Sequence, residues 1–578
     1  MSLSRAAAIG AAVCVLAAGR AAAQQPSAPQ QTPDGMQEIT LAPRIGVETA
    51  LTTPLTLEQA VVMALEHNND VLVARLQAQA AGEDVRAAQG YYDPRLLPTF
   101  TYQSTTTAVT SSLSGGSNGK VEETRAAGGM RLEGFSPWGG GHFAVDFGAS
   151  RVESSNQFLR LNPTFPAAAG VSYTQPLLRG FRIDEPRRQL LLSRRAVDLS
   201  DLQLTRTVMD QLSAVEQAYW DLVYATRNLD VVTKALQQAR AQVSSNERQV
   251  RSGTLAPIDV VEAQTQVATF EQTVATAQQA LTESENRLKR LVLASRDASL
   301  WNAALVPRAE DRQVPQLPLP QAVQMALQNR PELHEIDVSL EQNAIDERFY
   351  ADQARPQADL VGSYTLSGLA GTATTTSSSP LRVATDPAVL LRLNELSALA
   401  GYDAVVQTPS TTAPLPDFLV GGLGDSLATI GARRFPVALI QVQLGIPLRN
   451  RTAEAELARN KLTRRALVAS RQQAEQVIEA EVRDALQAVR SSEQRLEAAG
   501  SAQRSAQEQY ESERRRFDSG LSTVFLVLQR QTTLVTAQAR EVRARADLNQ
   551  AIAVFDRAIG ATLARHGVTL QPAGGTTP

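Results

Sequence analysis

The chain has 578 residues, 56 Lys and Arg against 59 Asp and Glu, a formal charge of -3, and only 5% aromatic residues. The near-balanced charge gives no footing for nucleic-acid binding, and so few large side chains argue for long helices packed through small residues rather than several compact cores. A single cysteine excludes a disulfide framework and a thiolate metal site.

Arg5, the apolar run Ala6 to Ala18 and Ala21-Ala22-Ala23 before Gln24 read as a secretory signal over 1–23. Cys14 lies inside that run behind Val13, a poor match to a lipidation site, and is expected to leave with the leader. Residues 24–55 read as an N-terminal extension. No later apolar stretch reaches the roughly 18 residues of a membrane-spanning helix.

From Leu57 the sequence begins a pattern that it repeats. LEQAVVMALEHNNDV aligns without a gap on LPQAVQMALQNRPEL from Leu319, so that Gln59, Ala60, Val61, Met63, Ala64 and Leu65 recur as Gln321, Ala322, Val323, Met325, Ala326 and Leu327. The same offset places Pro94 on Pro356 and Tyr102 on Tyr364. Duplication on this scale is one architectural unit used twice, and it suggests a structure built around an axis.

The segment after each opening helix reads as strands. His142 to Gly148 alternates Phe143, Val145 and Phe147 against Ala144, Asp146 and Gly148, and Ala438 to Leu448 alternates likewise. Leu97 to Ala108, Met130 to Phe135, Val171 to Leu177 and Gln357 to Leu366 are weaker candidates, leaving four to six strands per chain. An apolar face backed by a small or polar one suits a barrel wall between lipid and a wet lumen, and equally a water-soluble sheet. Ser111 to Val121 and Ala370 to about Arg433 read as loops, with a short helix at Val389 to Leu399.

Long coiled-coil helices follow. Val208, Leu212, Val215, Tyr219 and Leu222 begin one seam, and Val260, Ala263, Val267, Phe270, Val274, Ala277 and Leu281 carry an unbroken heptad series in its partner. Between them Gly253 ends one helix and Pro257 opens the next, so the two fold back as a hairpin. Val482, Ala485, Val489, Leu496, Ala506 and Tyr510, then Gly520, then Thr523 to about Ile559 repeat the design. A helix from Glu185 to Val250 would span roughly 100 Å, longer than any compact domain needs.

The units are therefore a first repeat, 56–296, with strands over about 97–177 and a hairpin over about 183–294; a Pro-rich linker, 297–318; a second repeat, 319–562, with strands over about 357–448 and a hairpin over about 449–560; and a flexible tail, 563–578. Six arginines from Arg179 to Arg195, echoed from Arg449 to Arg465, open each long helix and suit either lipid phosphates or solvated surface. His67, His142, His334 and His566 are scattered, with no pair at metal-ligand spacing, and no phosphate-binding glycine loop is present. No catalytic, cofactor or metal site is expected, and the chain reads as no enzyme.

The order of short helices, strands and long hairpin, given twice, resembles the TolC-like outer-membrane efflux protein family. Asn68-Asn69 and Asn329-Arg330-Pro331 look like the break in that family's opening helix pair. Leu97-Pro98 after Asp93-Pro94 looks like its entry into the first strand, Gln175-Pro176-Leu177 and Ile446-Pro447-Leu448 like its strand exits, and Gly253 and Gly520 match its hairpin-turn glycines. The resemblance covers about residues 55–562. It implies an α+β membrane protein of duplicated coiled-coil hairpins and barrel strands, assembled as a homotrimeric α/β-barrel tunnel in the cell outer membrane with its helices in the periplasm. It further implies a passive exit duct that completes a tripartite efflux pump or type I secretion system, with a periplasmic adaptor and an inner-membrane pump as partners. Too few strands per chain to close a barrel agree with several chains sharing one wall.

In that family, acidic residues six and nine positions past the tip glycine narrow the periplasmic mouth. Here those positions hold Asp259 and Glu262 in the first repeat, and Leu526 and Gln529 in the second. The tip segments Gly253-Thr254 and Gly520-Leu521 are the implied adaptor contacts. A structural periplasmic coiled-coil stalk, or the adaptor protein itself, is the alternative reading. The alternating strands count against the stalk, and the second hairpin against the adaptor.

Overall fold

The computed structural model describes residues 43–110, 115–116, 118–374, 387–406 and 414–571. Residues 1–23, read from the sequence as a leader, and with them Cys14, lie outside the described residues. In chain order the elements are β1 (Glu48–Leu55), α1 (Leu57–His67), α2 (Asn69–Gln89), β2 (Arg95–Ala108), β3 (Lys120–Phe135), β4 (His142–Ser154), β5 (Leu161–Pro176), α3 (Glu185–Arg251) and α4 (Pro257–Val292). Then come β6 (Ala303–Pro307), α5 (Leu319–Asn329), α6 (Pro331–Gln353), β7 (Gln357–Ala373), α7 (Pro387–Leu399), α8 (Leu423–Gly431), β8 (Phe435–Gly445), α9 (Arg451–Asp518), α10 (Val524–Ala558) and α11 (Thr562–Arg565). The fold is α+β and mostly helical.

The repeated residues are those that seat a short helix on a long one. Ala60 and Ala64 of α1 are buried against Val215, Tyr219 and Leu222 of α3 and Leu288 of α4. Their counterparts Ala322 and Ala326 of α5 are buried among Val482, Ala485 and Val489 of α9 and Ile552 and Phe555 of α10. A methyl group is small enough to let the helix axes approach, which is why alanine recurs at both positions. Thr56 caps α1 by accepting from the Gln59 amide, and Asn68 caps α2 by accepting from the amides of Asp70 and Val71, so the chain turns between α1 and α2 without an unpaired helix end.

The long hairpins α3–α4 and α9–α10 have helices of 67, 36, 68 and 35 residues. At about 1.5 Å per residue α3 and α9 each run roughly 100 Å. The two hairpins meet where Val535 of α10 joins Val232, Ala235 and Leu236 of α3.

The stretches read as an extension (24–55) and a linker (297–318) contain β1 and β6, which pair in parallel across the first repeat. Tyr219 closes this girdle: its buried hydroxyl shares its one hydrogen between the carbonyls of Arg308 at 2.8 Å and Leu55 at 3.2 Å, and burial pushes the phenol up to about 12. Fully buried Lys289 of α4 donates to the carbonyls of Trp301 (2.8 Å) and Ala303 (2.7 Å) and pairs with Glu285 at 2.8 Å. Glu285 in turn accepts from the Leu305 amide at 3.1 Å and from Arg44 at 2.5 Å.

A second charged cluster fastens the halves together. Arg312 of the linker pairs with Glu216 of α3 and lies 3.6 Å from Asp556 of α10. Arg565 pairs with Asp556 at 3.0 Å, and His566 contacts Glu216. The flexible tail expected over 563–578 is thus docked over its described part, with Leu563, Val568 and Leu570 packed on the α2–α3 cluster. These three apolar side chains find a neighbouring surface there.

Six strands form one antiparallel sheet in the order β2-β3-β4-β5-β7-β8, at the upper of the two counts left open by the sequence. In the loop read as 370–433, α7 falls on the expected helix, while α8 was not anticipated. It lies across β7 and β5, with Ser426 and Thr429 buried. Gly368 permits this approach, since a Cβ there would fall 2.2 Å from the Ser426 carbonyl oxygen. Residues 375–386 and 407–413 of this loop lie outside the described residues.

Candidate conduit: the sheet faces and the hairpin tips

The ladder places side chains of one chemistry on one face. A single row crosses all six strands through Leu96, Leu132, Val145, Val171, Tyr364 and Ala438. Phe100, Tyr102, Met130, Phe147, Tyr173, Ile440, Val442 and Leu444 lie on the same face, and all are exposed in the single chain. The opposite face carries Thr99, Gly129, Arg131, Asp146, Gly148, Gly170, Ser172, Ser363 and Thr365, which line a shallow groove together with parts of the neighbouring strands. Arg131 lies 3.4 Å from Asp146 and 3.0 Å from Glu133, so these three charges on this face are paired. An apolar side with water on the other side of a thin sheet is the arrangement of a lipid-bounded wall.

The strands enter and leave the helical part at one end of the sheet. There Arg187 binds Asp184 at 3.0 Å, Arg188 binds Asp346 of α6 at 2.7 Å and stacks over Phe349, and Arg195 binds Glu341 at 3.0 Å. The Gly180 amide donates to Asp352 at 2.6 Å. Arg188 and Arg195 tie α3 of one repeat to α6 of the other, while Arg187 folds back on Asp184 and the Phe181 carbonyl at the start of its own helix.

At the far ends the two tips share one geometry. Gly253 has φ +79, its amide donates to the Val250 carbonyl, and the Thr254 amide donates to the Gln249 carbonyl at 3.0 Å. Gly520 has φ +76, its amide donates to the Phe517 carbonyl, and the Leu521 amide donates to the Arg516 carbonyl at 2.8 Å. This pair of closing bonds satisfies the last free carbonyls of each long helix. A Cβ at either glycine would meet nothing within 4 Å, so glycine is needed for its backbone angle and not for space. Gly253→Ala and Gly520→Ala are each expected to weaken their tip by about 1–2 kcal/mol. Hydrogen exchange or limited proteolysis at the tip checks this, and unchanged protection would contradict it.

Of the four aperture candidates the structure brings two together. Glu262 of α4 and Gln529 of α10 line one groove of about 720 Å³ with Gln266, Phe525, Leu528 and Arg540. One Glu262 carboxylate oxygen is buried there without a hydrogen-bond partner. Asp259 and Leu526 do not line that groove; Asp259 is half-buried, and its carbonyl accepts from Asn246 at 3.3 Å. Ser522 hydrogen-bonds Glu513 within its own hairpin. Ile258, Val261, Leu521 and Phe525 are exposed around the tips, at 62%, 53%, 72% and 59%, an apolar crown that the spacing argument missed. Arg44, Glu285 and Lys289 were missed as well, because an i,i+4 Glu–Lys pair looks like ordinary helix surface.

The chain thus combines a six-stranded sheet that has one apolar face with two long helical hairpins. Residues 143–292 and 430–561 match the family model for outer membrane efflux proteins, and the chain belongs to that family. The family is one of outer-membrane channels and is non-enzymatic. Among solved structures the chain is similar to the CmeC outer membrane channel of Campylobacter jejuni, at 14% identity over 88% of this chain and 86% of that one, with TM-score 0.58. It is also similar to the outer membrane protein VceC of Vibrio cholerae, at 14% identity over 87% and 96%, with TM-score 0.55. The open-state MtrE outer membrane channel of Neisseria gonorrhoeae matches at 15% identity over 88% and 89%, with TM-score 0.52. A search of curated protein sequences finds no match.

Proposed function

We propose that three copies of this chain surround one axis as an outer-membrane exit duct, their sheets closing a β-barrel in lipid and their hairpins forming a tube through the periplasm. The observation that carries this is the unbroken apolar row across six strands, on a sheet whose two outermost strands have no partner on their outer edges among the described residues. Neither feature serves a periplasmic stalk or an adaptor, and an unpaired strand edge has no place in hydrocarbon. The duct works passively, completing a tripartite efflux pump or a type I secretion system whose inner-membrane pump supplies the energy. The two repeats, 56–296 and 319–562, each give this assembly a share of wall and one hairpin, with 297–318 joining them. The tips at Gly253-Thr254 and Gly520-Leu521, ringed by exposed apolar side chains, suit docking to the helical hairpin of a periplasmic adaptor.

At the tube mouth, three copies of Asp259 and Glu262 form a carboxylate ring that favours cations, with Leu526 and Gln529 as its neutral counterpart from the second repeat. The expected result for Asp259→Asn with Glu262→Gln is a several-fold loss of cation over anion preference in planar-bilayer recordings. An unchanged selectivity would remove the ring from the mouth.

A further inference from the structure

From the strand edges we infer that the wall is an eighteen-stranded barrel in which β2 of each subunit pairs antiparallel with β8 of the next; the inference rests on the trimeric duct proposed above. β2 and β8 are the two outermost strands of the six, and among the described residues each has a strand neighbour on one side only. β2 runs away from the helices and β8 runs back into α9, so copies placed side by side around an axis meet with opposed strand directions. The apolar face continues onto both edges, where Phe100 is 81% and Ile440 83% exposed. A long apolar edge of this kind is a pairing site in water and is forbidden in lipid. A second copy of this chain satisfies both edges at once.

The hairpin β3–β4 is part of this wall. β3 takes fourteen partners on β2, Arg95–Ala108, and also pairs with β4, which pairs with β5, so β2 reaches β5 only through the hairpin. Its apolar residues Leu132 and Val145 stand in the same row as those of the other strands. The dimensions agree. Strands about 4.8 Å apart and tilted about 40° take roughly 6 Å of perimeter each, so six take about 37 Å. Four long helices at about 9 Å spacing take about 36 Å, so wall and tube have nearly equal girth. Four strands would cover only about 25 Å per subunit and force the duct to taper. Barrels of sixteen to eighteen strands keep an open aqueous channel, and Gly129, Gly148, Gly170 and Ser172 project little into this one. The size limit on cargo therefore lies at the hairpin tips and not in the membrane.

The test uses the full chain in intact outer membranes. Because the only cysteine, Cys14, lies in the leader, Met130→Cys on β3 and Phe147→Cys on β4 each give a single thiol. Both are expected to react at least about tenfold more slowly with a membrane-impermeant maleimide than Ser172→Cys on the opposite face. Images of the purified trimer are expected to show eighteen strands. Rapid labelling at Met130 and Phe147, or a trimer with a twelve-stranded wall and the hairpin outside it, would overturn the inference and leave the duct standing. If the unsubstituted protein yields no trimer from the outer membrane, the duct itself falls, and this inference with it.

Discussion

Val171→Arg is expected to cost about 2–4 kcal/mol and to deplete assembled protein from the outer membrane, whereas Ser172→Arg, one residue along the same strand, is expected to be tolerated. Val171 lies in the apolar row, level with Val145 and Tyr364; Ser172 lies on the opposite face, level with Ala144 and Ser363. A guanidinium held against hydrocarbon loses its hydration without gaining a partner, while on a wet lumen it stays solvated. Val171 is 48% exposed in the single chain, so a sheet that simply faced water would accept arginine at either position. Heat-modifiable migration of outer-membrane extracts reads the difference. Equal yields of the two variants would contradict the assignment of faces.

Lys289→Met is expected to destabilise the helical region by about 3–5 kcal/mol. The ammonium is completely buried, and it spends its donors on Glu285 and on the carbonyls of Trp301 and Ala303. Removing it takes this donor from both carbonyls and leaves a buried carboxylate whose remaining partners are Arg44 and the Leu305 amide. The β1–β6 girdle would loosen first, since Ala303 and Leu305 are held by this pair. Adding Glu285→Gln is expected to recover part of the loss, because the uncompensated charge is then gone. Melting temperatures of the detergent-solubilised protein, with proteolysis between Ser295 and Arg312, measure both steps. A Lys289→Met variant that melts with the unsubstituted chain would show the pair to be incidental.

Much of this architecture is legible in the sequence because it is made of repeated short-range rules. Ala60 and Ala64 recur because the same helix contact is built twice, and the tip glycines stand out because a closed hairpin needs a positive φ. The alternation from His142 to Gly148 is clean because both faces of that strand meet uniform surroundings. β3 is harder to see. Arg131 and Glu133 break the expected polarity of its neighbourhood, and only the register shows that Arg131 pairs with both Glu133 and Asp146 on the polar face.

What the sequence hides is set by contacts distant in the chain. β6 is five residues long and ends at Pro307, and its partner lies some 250 residues earlier, so no local pattern announces it. Arg312, Glu216, Asp556 and His566 come from the linker, both repeats and the C-terminal segment, and each alone reads as helix or loop surface. The four aperture candidates were placed by spacing from a glycine, which fixes position along the helix but not direction around it. That is why Glu262 and Gln529 share a groove while Asp259 and Leu526 stand outside it.

The central claim is that one chain is a third of a pore, and the most direct measurement is the electrophoretic and electrical behaviour of protein extracted from outer membranes. Unheated samples are expected to migrate as a compact trimer that falls to monomer on boiling, and to open discrete ion-conducting steps in a planar bilayer. A monodisperse soluble monomer, with no heat-modifiable form and no conductance, would contradict it.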